Sequence, residues 1–532
     1  MAELIPLKRA LISVSDKTDL VPFARRLARH GVQLISTGGT ARAIADAGLE
    51  VTPVDQVTGF PEMMDGRLKT LHPRVHGALL ALRDEPSHVQ AMAEHGIEPI
   101  DLVCVNLYPF EQTIERDDVS EQEAVEQIDI GGPSMIRSAA KNHGFVAVVT
   151  CASQYDRVCN DLEKNDGATS LVLRRWLATA AFARTAAYDT AISTWMTQNS
   201  ARTDAQSTFA DPLILRFTQA HELRYGENPH QRGALYLEPA ARDPGVARAR
   251  QLHGKALSFC NLFDADAALE LVKEIDGREH AAAAVIKHAN PCGFAVADNL
   301  ARAFDKAYQG DPLAAFGGIV ACNRKVDAAT ALSIVGIESF VEVIVAPGYD
   351  DEALETLQQR WKNTRLLEVG DLWPPSSPEG TRLDFKRITG GLLVQQRDVK
   401  AIDASGWQHM AGPAPDPDVL GDALVATIAV KHLKSNAISL AKGGMLVGAG
   451  AGQMDRLASC DLAVKKAGDR ASGCVAGSDA FFPFRDGPDR LIDAGIRAIV
   501  QPGGSKRDDQ TLEACTKAGV TLLHTGRRLF RH

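Results

Sequence analysis

An alternation restricts this chain more than any other feature. Across residues 1–200, short apolar runs of strand length take turns with segments of helical period. Arg9 to Val14 (RALISV) reads as a buried strand, and Leu20, Phe23, Ala24 and Leu27 then keep helical spacing. Asp16-Lys17-Thr18 is expected to open that helix and Gly31 to close it, as a glycine just past a helix end does. Val32 to Ser36 is the next expected strand, with Thr40 capping a helix that runs to Gly48. Leu102 to Asn106 and Val146 to Thr150 repeat the strand signal. Strands alternating with helices predict an α/β layer fold with a largely parallel sheet.

The alternation breaks at Gln198 to Asp211 (QNSARTDAQSTFAD), which is polar, aperiodic and followed by Pro212. This predicts a first domain over 1–199, a linker over 200–215 and a second part over 216–532. Strand signals resume at Ala281–Ile286, Ile319–Cys322, Glu342–Val345 and Ala498–Val500. A part of this size predicts two lobes, with a boundary near 373–385 at Trp373 to Thr381 (WPPSSPEGT). The full 532 residues carry a net charge of −9, and aromatics are 6%. A bulk basic surface is therefore absent, stacking platforms are thin, and no nucleic-acid partner is expected. The nine cysteines show no C-x-x-C spacing, which argues against a disulfide framework or a Cys-based zinc site and for a reducing cytoplasm. Met1 to Ala10 lacks an apolar signal-peptide core, and no apolar run reaches bilayer length, so no membrane association is expected.

Five segments carry candidate chemistry. Ser13-Val-Ser15-Asp16-Lys17-Thr18 and Ser36-Thr37-Gly38-Gly39-Thr40 both lie at strand-to-helix turns, which suit a phosphate; plain helix capping is the alternative. In Gly66-Arg67-Leu68-Lys69-Thr70-Leu71-His72-Pro73, Arg67 and Lys69 share a side of an extended segment, either for an anion or as a solvated loop. Asp129-Ile-Gly131-Gly132-Pro133-Ser134 starts a helix through Arg137 toward Lys141, and Asp129 and Lys141 meet only if the fold brings them together. Leu223-Arg224-Tyr225-Gly226-Glu227-Asn228-Pro229-His230-Gln231 is dense in polar groups, as a binding loop or a hydrogen-bonded one. The apolar run ending at Ile286 delivers Lys287-His288, followed by an expected Asn290-Pro291-Cys292-Gly293 turn. A neighbouring ammonium favours neutral imidazole, as a general base requires, although a lone strand-end histidine is usually structural.

With SVSDKT, GFPEM, GR-x-KTLHP, NLYPF, QIDIGG, RYGENPHQ, KHANPCG, GAGQ-x-x-R and DAFFPFRD in this order, the chain resembles the bifunctional AICAR formyltransferase/IMP cyclohydrolase family of purine biosynthesis over essentially its whole length. The resemblance implies an N-terminal methylglyoxal-synthase-like (Rossmann-like) cyclohydrolase domain, followed by a formyltransferase of two cytidine-deaminase-like α/β lobes. It implies formyl transfer from 10-formyltetrahydrofolate to the amine of AICAR, then dehydrative closure of formyl-AICAR to IMP, in a cytoplasmic homodimer. The deaminase zinc signature is missing, because no second cysteine follows Cys292 at the required spacing, so no catalytic metal is expected.

By the same resemblance, Lys287 and His288 match the formyl-transfer pair. Arg224, Tyr225, Asn261, Gly317, Glu342, Asn436, Arg456 and Arg528 match positions that hold AICAR, and Phe481, Phe484 and Asp486 match the folate side. Ser15, Lys17, Thr37, Arg67, Lys69 and Thr70 match nucleotide-binding positions, while Lys69, Tyr108, Asp129 and Lys141 match the cyclisation site. Two rival readings are a non-catalytic purine-nucleotide sensor, which needs no proton shuttle, and a zinc-type nucleoside deaminase, which metal analysis would reveal.

Overall fold

The computed structural model describes residues 3–64, 68–116, 118–201, 209–239, 241, 243–373 and 383–532. The chain divides into two compact units, Met1–Arg216 and Phe217–His532. In the first, strands β1 (Leu4–Pro6), β2 (Arg9–Val14), β3 (Gln33–Ser36), β4 (Thr52–Pro53), β5 (Leu102–Asn106), β6 (Ala147–Val149) and β7 (Ala168–Ser170) occur in chain order. Among the described residues, five of them form a parallel sheet in the order β4-β3-β2-β5-β6, and β1 pairs with β7. The strand and helix alternation read from the sequence is thus present. The helix Leu20–Arg29 buries Leu20, Phe23, Ala24 and Leu27 against the sheet, each large side chain contributing roughly 1.5–3 kcal/mol.

Two helix starts differ from expectation for local reasons. The Asp16 carboxylate accepts both the N–H and the hydroxyl of Thr18, at 2.9 and 2.7 Å. That Asx turn keeps residues 16–18 out of the helix, which begins at Leu20. Thr40 does not cap. It sits inside the helix Gly38–Asp46, and its buried hydroxyl bridges the backbone N–H and C=O of Val14. The expected linker also starts late, since the helix Leu171–Ala201 runs beyond residue 199; residues 202–208 lie outside the described ones.

The second unit adds the hairpin β8 (Thr218–Glu222) and β9 (Ala234–Leu237), then two similar halves. The first half holds β10 (Arg250–His253), β11 (Ala281–Lys287), β12 (Asn290–Ala297), β13 (Gly318–Cys322), β14 (Val341–Ala346) and β15 (Arg365–Glu368). After a ribbon of β16 (Leu383–Ile388) and β17 (Gly391–Gln396), the second half holds β18 (Gln408–Ala411), β19 (Ile438–Lys442), β20 (Met445–Gly450), β21 (Val475–Ser478), β22 (Ala498–Gln501) and β23 (Thr521–His524). Among the described residues the two halves share one twelve-stranded sheet, ordered β10-β15-β14-β13-β11-β12-β20-β19-β21-β22-β23-β18. Each half reads as the other reversed, an internal duplication that no short-period repeat announces. The glycine after each edge strand confirms the match. A Cβ on Gly254 (φ +90°) would meet Thr364 O at 2.2 Å, and one on Gly412 (φ +74°) would meet Val520 O at 2.2 Å.

The two halves join where Ala295 of β12 pairs Met445 of β20. They share a core, because Ala282, Ile286 and Phe294 pack in one cluster with Ala426, Ile428 and Leu446. The boundary expected near 373–385 falls mostly on residues 374–382, outside the described ones.

Candidate active sites

In the first unit the candidate groups converge where β2, β3 and β5 end. Ser15 is fixed by Asn106, whose Oδ1 accepts the Ser15 N–H at 2.6 Å and its hydroxyl at 2.9 Å. The Thr37 and Ser13 hydroxyls pair at 2.8 Å beside the start of the helix Gly38–Asp46, and Lys17 is exposed next to them in sequence. A cavity of about 120 Å³ opens there, lined by Thr37, Gly38, Phe60, Glu62 and Lys69. Lys69 is ion-paired with Glu62 at 2.7 Å, and a Cβ on Gly38 would come within 3.1 Å of its Nζ.

Glycine also sets the other side of this group. A Cβ on Gly131 would lie 2.8 Å from Thr70 Oγ1, and one on Gly132 would lie 2.3 Å from Asp129 Oδ2. The start of the helix Gly131–Lys141 can therefore press against both side chains. Asp129 Oδ1 accepts the Gly132 N–H at 2.8 Å. Burial nonetheless pushes the Asp129 carboxyl above its ordinary range, outweighing the N–H bonds that lower it. Burial likewise raises the Tyr108 phenol, with Asp129 and Glu62 adding to the effect. A carboxyl and a phenol both shifted toward their protonated forms, beside an ammonium, can move protons and hold an oxyanion.

Lys141 does not join them. It ends the helix whose start touches Asp129, and at 1.5 Å per residue that places it roughly 15 Å away along the axis. Arg67 lies outside the described residues.

In the second unit the expected turn is displaced. Asn290 to Gly293 belongs to β12, and the chain reverses instead at His288–Ala289. Both turn residues are left-handed, at φ 52° and 57°, the geometry of a two-residue hairpin that normally requires glycine or asparagine. Pro291 is tolerated because the ladder shifts register beside it. The equivalent hairpin between β19 and β20 turns on Gly443–Gly444, at φ 62° and 76°. The first half thus holds an exposed imidazole on a strained position where its duplicate has glycine. Lys287 Nζ donates to Phe316 O and Gly317 O, both at 3.0 Å.

A hydrogen-bonded path leads from this hairpin into the second half. Asn290 Nδ2 donates to His288 O at 2.9 Å, and Asn290 Oδ1 accepts the Lys434 N–H at 3.2 Å. Two residues on, Asn436 Oδ1 accepts from Arg456 Nη2 at 3.0 Å. Arg456 Nη1 bonds the Ser478 hydroxyl at 3.0 Å and forms an ion pair with Asp479, which is fully buried. The loop beyond Asp479 presents Phe481 and Phe484, 40% and 52% exposed, with Asp486 following at a helix start. Leu529 N–H donates to Asp479 O at 2.8 Å, which brings the exposed Arg528 to the same region.

Other expected contacts are already engaged. The Asn261 side chain completes a capping box with Ser258, and Glu342 is ion-paired with the buried Arg365. Arg224 stacks over Tyr225 at 5.3 Å, close enough to Arg365 to lower its pKa after burial has done so. The Cys292 thiol donates to Val285 O at 3.3 Å, and burial pushes it up to about 12. Sequence reasoning passed over Asn106, Asp264 and Asp479. Asn106 and Asp479 open the NLYPF and DAFFPFRD segments, so their motifs were visible while their partners were not.

One unit gathers Lys, Tyr and Asp beside phosphate-type turns, and the other carries a Lys–His hairpin linked to a buried arginine. Together they define a two-site α/β enzyme. A family model described as "AICARFT/IMPCHase bienzyme" matches residues 139–466, and one described as "MGS-like domain" matches 19–134. "Bifunctional purine biosynthesis protein PurH" of Roseobacter denitrificans is 52% identical, covering all of both chains. Proteins of that name from Magnetococcus marinus and Oceanobacillus iheyensis are 50% and 47% identical; each covers 99% of this chain, and their own coverage is 99% and 100%. The chain belongs to the AICARFT/IMPCHase bienzyme family. It is a bifunctional enzyme of purine biosynthesis, catalysing AICAR formyl transfer and IMP cyclohydrolysis.

Proposed function

We propose that formyl transfer occurs at the His288 hairpin and ring closure at the Lys69–Tyr108–Asp129 group, with 10-formyltetrahydrofolate as formyl donor. The carrying observation is the imidazole held in a left-handed turn where the duplicate half has Gly443. The AICAR amine is aromatic and weakly nucleophilic, so it must lose a proton as it attacks the formyl carbon. His288 takes that proton, Lys287 stabilises negative charge on the carbonyl oxygen, and folate leaves as its neutral amine. Asn436, Arg456 and Arg528 serve the ribotide, with Arg456 orienting Asn436 because its own charge is met by Asp479. Phe481 and Phe484 offer exposed rings to the flat folate heterocycle.

In closure the carboxamide nitrogen attacks the formyl carbon and water departs. The unit fixes the reactive rotamer, Lys69 and backbone donors beside Thr70 support the oxyanion, and Asp129 and Tyr108 handle protons. Ser15, Lys17 and Thr37 hold the phosphate. No helix among the described residues is long and apolar enough to cross a membrane, and the cytoplasm is the proposed location. The proposed assembly is a homodimer, supported by apolar side chains left exposed beside the second site, including Phe316 at 64% and Met454 at 98%.

The test is His288→Ala in the full chain. Formyl transfer is expected to fall by about two to four orders of magnitude, with closure of formyl-AICAR unchanged. Normal transfer by a folded variant removes His288 from the mechanism. Active protein that sediments as a monomer removes the dimer.

A further inference from the structure

The duplication separates what the scaffold needs from what one half has added. In each half, the sixth residue of the helix preceding the central hairpin is an aspartate: Asp264 in Phe259–Val272 and Asp422 in Pro417–Lys431. Each carboxylate accepts the N–H of the second turn residue, Asp264 Oδ1 from Ala289 at 2.8 Å and Asp422 Oδ1 from Gly444 at 2.7 Å. Clamping the turn is therefore common to both halves.

The remaining surroundings differ. Asp422 Oδ2 is ion-paired with Arg497 at 3.0 Å, in the position just before β22. Strand register matches Ala498 with Val343, which pair Val475 and Ile319 at the same place in each half, so the counterpart of Arg497 is Glu342; the first half has no cation there, and Glu342 is itself ion-paired with Arg365. Among the described residues Asp264 has no ion pair within 4 Å. The His288 N–H is also turned to it, and the groups that act on it are Lys287 and the His288 imidazole itself. A half-buried carboxylate, with glutamate standing where the duplicate half has its counter-cation, directs its field at the turn that carries the imidazole.

Resting on the assignment of His288 as proton acceptor, we propose that Asp264 is the positioning residue of the formyl-transfer site. It holds the left-handed His288–Ala289 turn in place and electrostatically supports the imidazolium that forms as His288 takes the amine proton. Asp264 does not touch substrate; it acts through His288. No group is transferred to it, and the proton stays on the imidazole until folate departs.

The experiment compares Asp264→Asn, Asp264→Ala, Asp422→Asn and His288→Ala in the full chain, measuring kcat and KM for AICAR together with thermal melting. Asn keeps an acceptor oxygen for the turn and loses the charge. Asp264→Asn is therefore expected to keep KM within about twofold and lose on the order of tenfold in kcat, with Asp264→Ala nearer 10²-fold as the turn loosens. Asp422→Asn, which likewise keeps the turn acceptor in the other half but loses the charge that meets Arg497, should lower the melting temperature and leave kcat in place. Equal kcat losses for Asp264→Asn and Asp422→Asn would reduce Asp264 to scaffold and overturn the proposal, as would a wild-type kcat in Asp264→Asn. If His288→Ala keeps wild-type kcat, the site assignment itself fails; if it collapses while both Asp264 variants stay active, only the positioning role fails.

Discussion

Gly132→Ala tests the proposed cyclisation site through one methyl group. The added Cβ would stand 2.3 Å from Asp129 Oδ2, 2.9 Å from its Cγ and 3.0 Å from Leu107 Cδ2. Ordinary carbon contacts lie at about 3.5–4.0 Å, so the carboxylate must withdraw by about 1 Å. Withdrawal breaks the 2.8 Å bond from the Gly132 N–H to Oδ1, a charge-assisted bond worth about 1.5–3 kcal/mol. A 1 Å misplacement of a reacting group lowers rates by on the order of 10²-fold, or about 2.7 kcal/mol of barrier. Stability moves less, because alanine is better than glycine in a helix by up to about 1 kcal/mol and offsets part of the loss. The assay is conversion of formyl-AICAR to IMP by the full chain, with formyl transfer as internal control. Closure should drop about a hundredfold while transfer stays at the parent rate. Closure within threefold of the parent would refute the role given to Asp129, and a parallel fall of both activities would show a general folding defect instead.

Gly421 lies in the helix Pro417–Lys431 with open space where a Cβ would go, so Gly421→Ala should add about 0.4–1 kcal/mol in denaturant unfolding and alter neither activity. Asp479→Ala leaves the buried Arg456 guanidinium without its anion and should cost about 3–5 kcal/mol in the same measurement. Because burial raises the Asp129 carboxyl above its ordinary 3.8, the folded chain retains a proton that the unfolded chain has released. The resulting stability is present below 3.8 and is lost as pH climbs through the raised value; Asp129→Asn should erase that slope in unfolding free energy against pH. Replacing His288-Ala289 with Gly-Gly, as at Gly443–Gly444, should relieve two left-handed residues, raising stability by about 1–2 kcal/mol while abolishing formyl transfer.

Much of the first unit was legible because its signals are local. Apolar runs marked β2, β3 and β5, and helical spacing named the buried residues Leu20, Phe23, Ala24 and Leu27. What escaped depends on side chains reaching across the fold. Thr40 resembles a cap until its hydroxyl is seen on Val14, and Asp16 resembles a helix start until it turns back on Thr18. The separation of Lys141 from Asp129 follows from helix rise once the whole segment Gly131–Lys141 is known to be helical. KHANPCG marked a reversal after the apolar strand, yet proline and glycine put it two residues late. Only the backbone shows that His288 and Ala289 themselves make it.

The second unit was opaque for another reason, and the same feature makes its site readable. Its halves share strand order, glycine positions and an aspartate clamp, while the side chains filling that scaffold have diverged beyond recognition as a repeat. Features present in both halves are explained by folding alone. Lys287 belongs partly to that class, since Lys442 precedes the other turn and donates to Ser472 O at 2.8 Å, much as Lys287 donates to Phe316 O and Gly317 O. Features present in one half need a further cause. His288 in place of Gly443 adds strain, and Glu342 in place of Arg497 leaves the Asp264 carboxylate without that cation. Neither change improves folding. Both bear on one turn and one imidazole, which is the pattern that the reaction proposed for His288 requires.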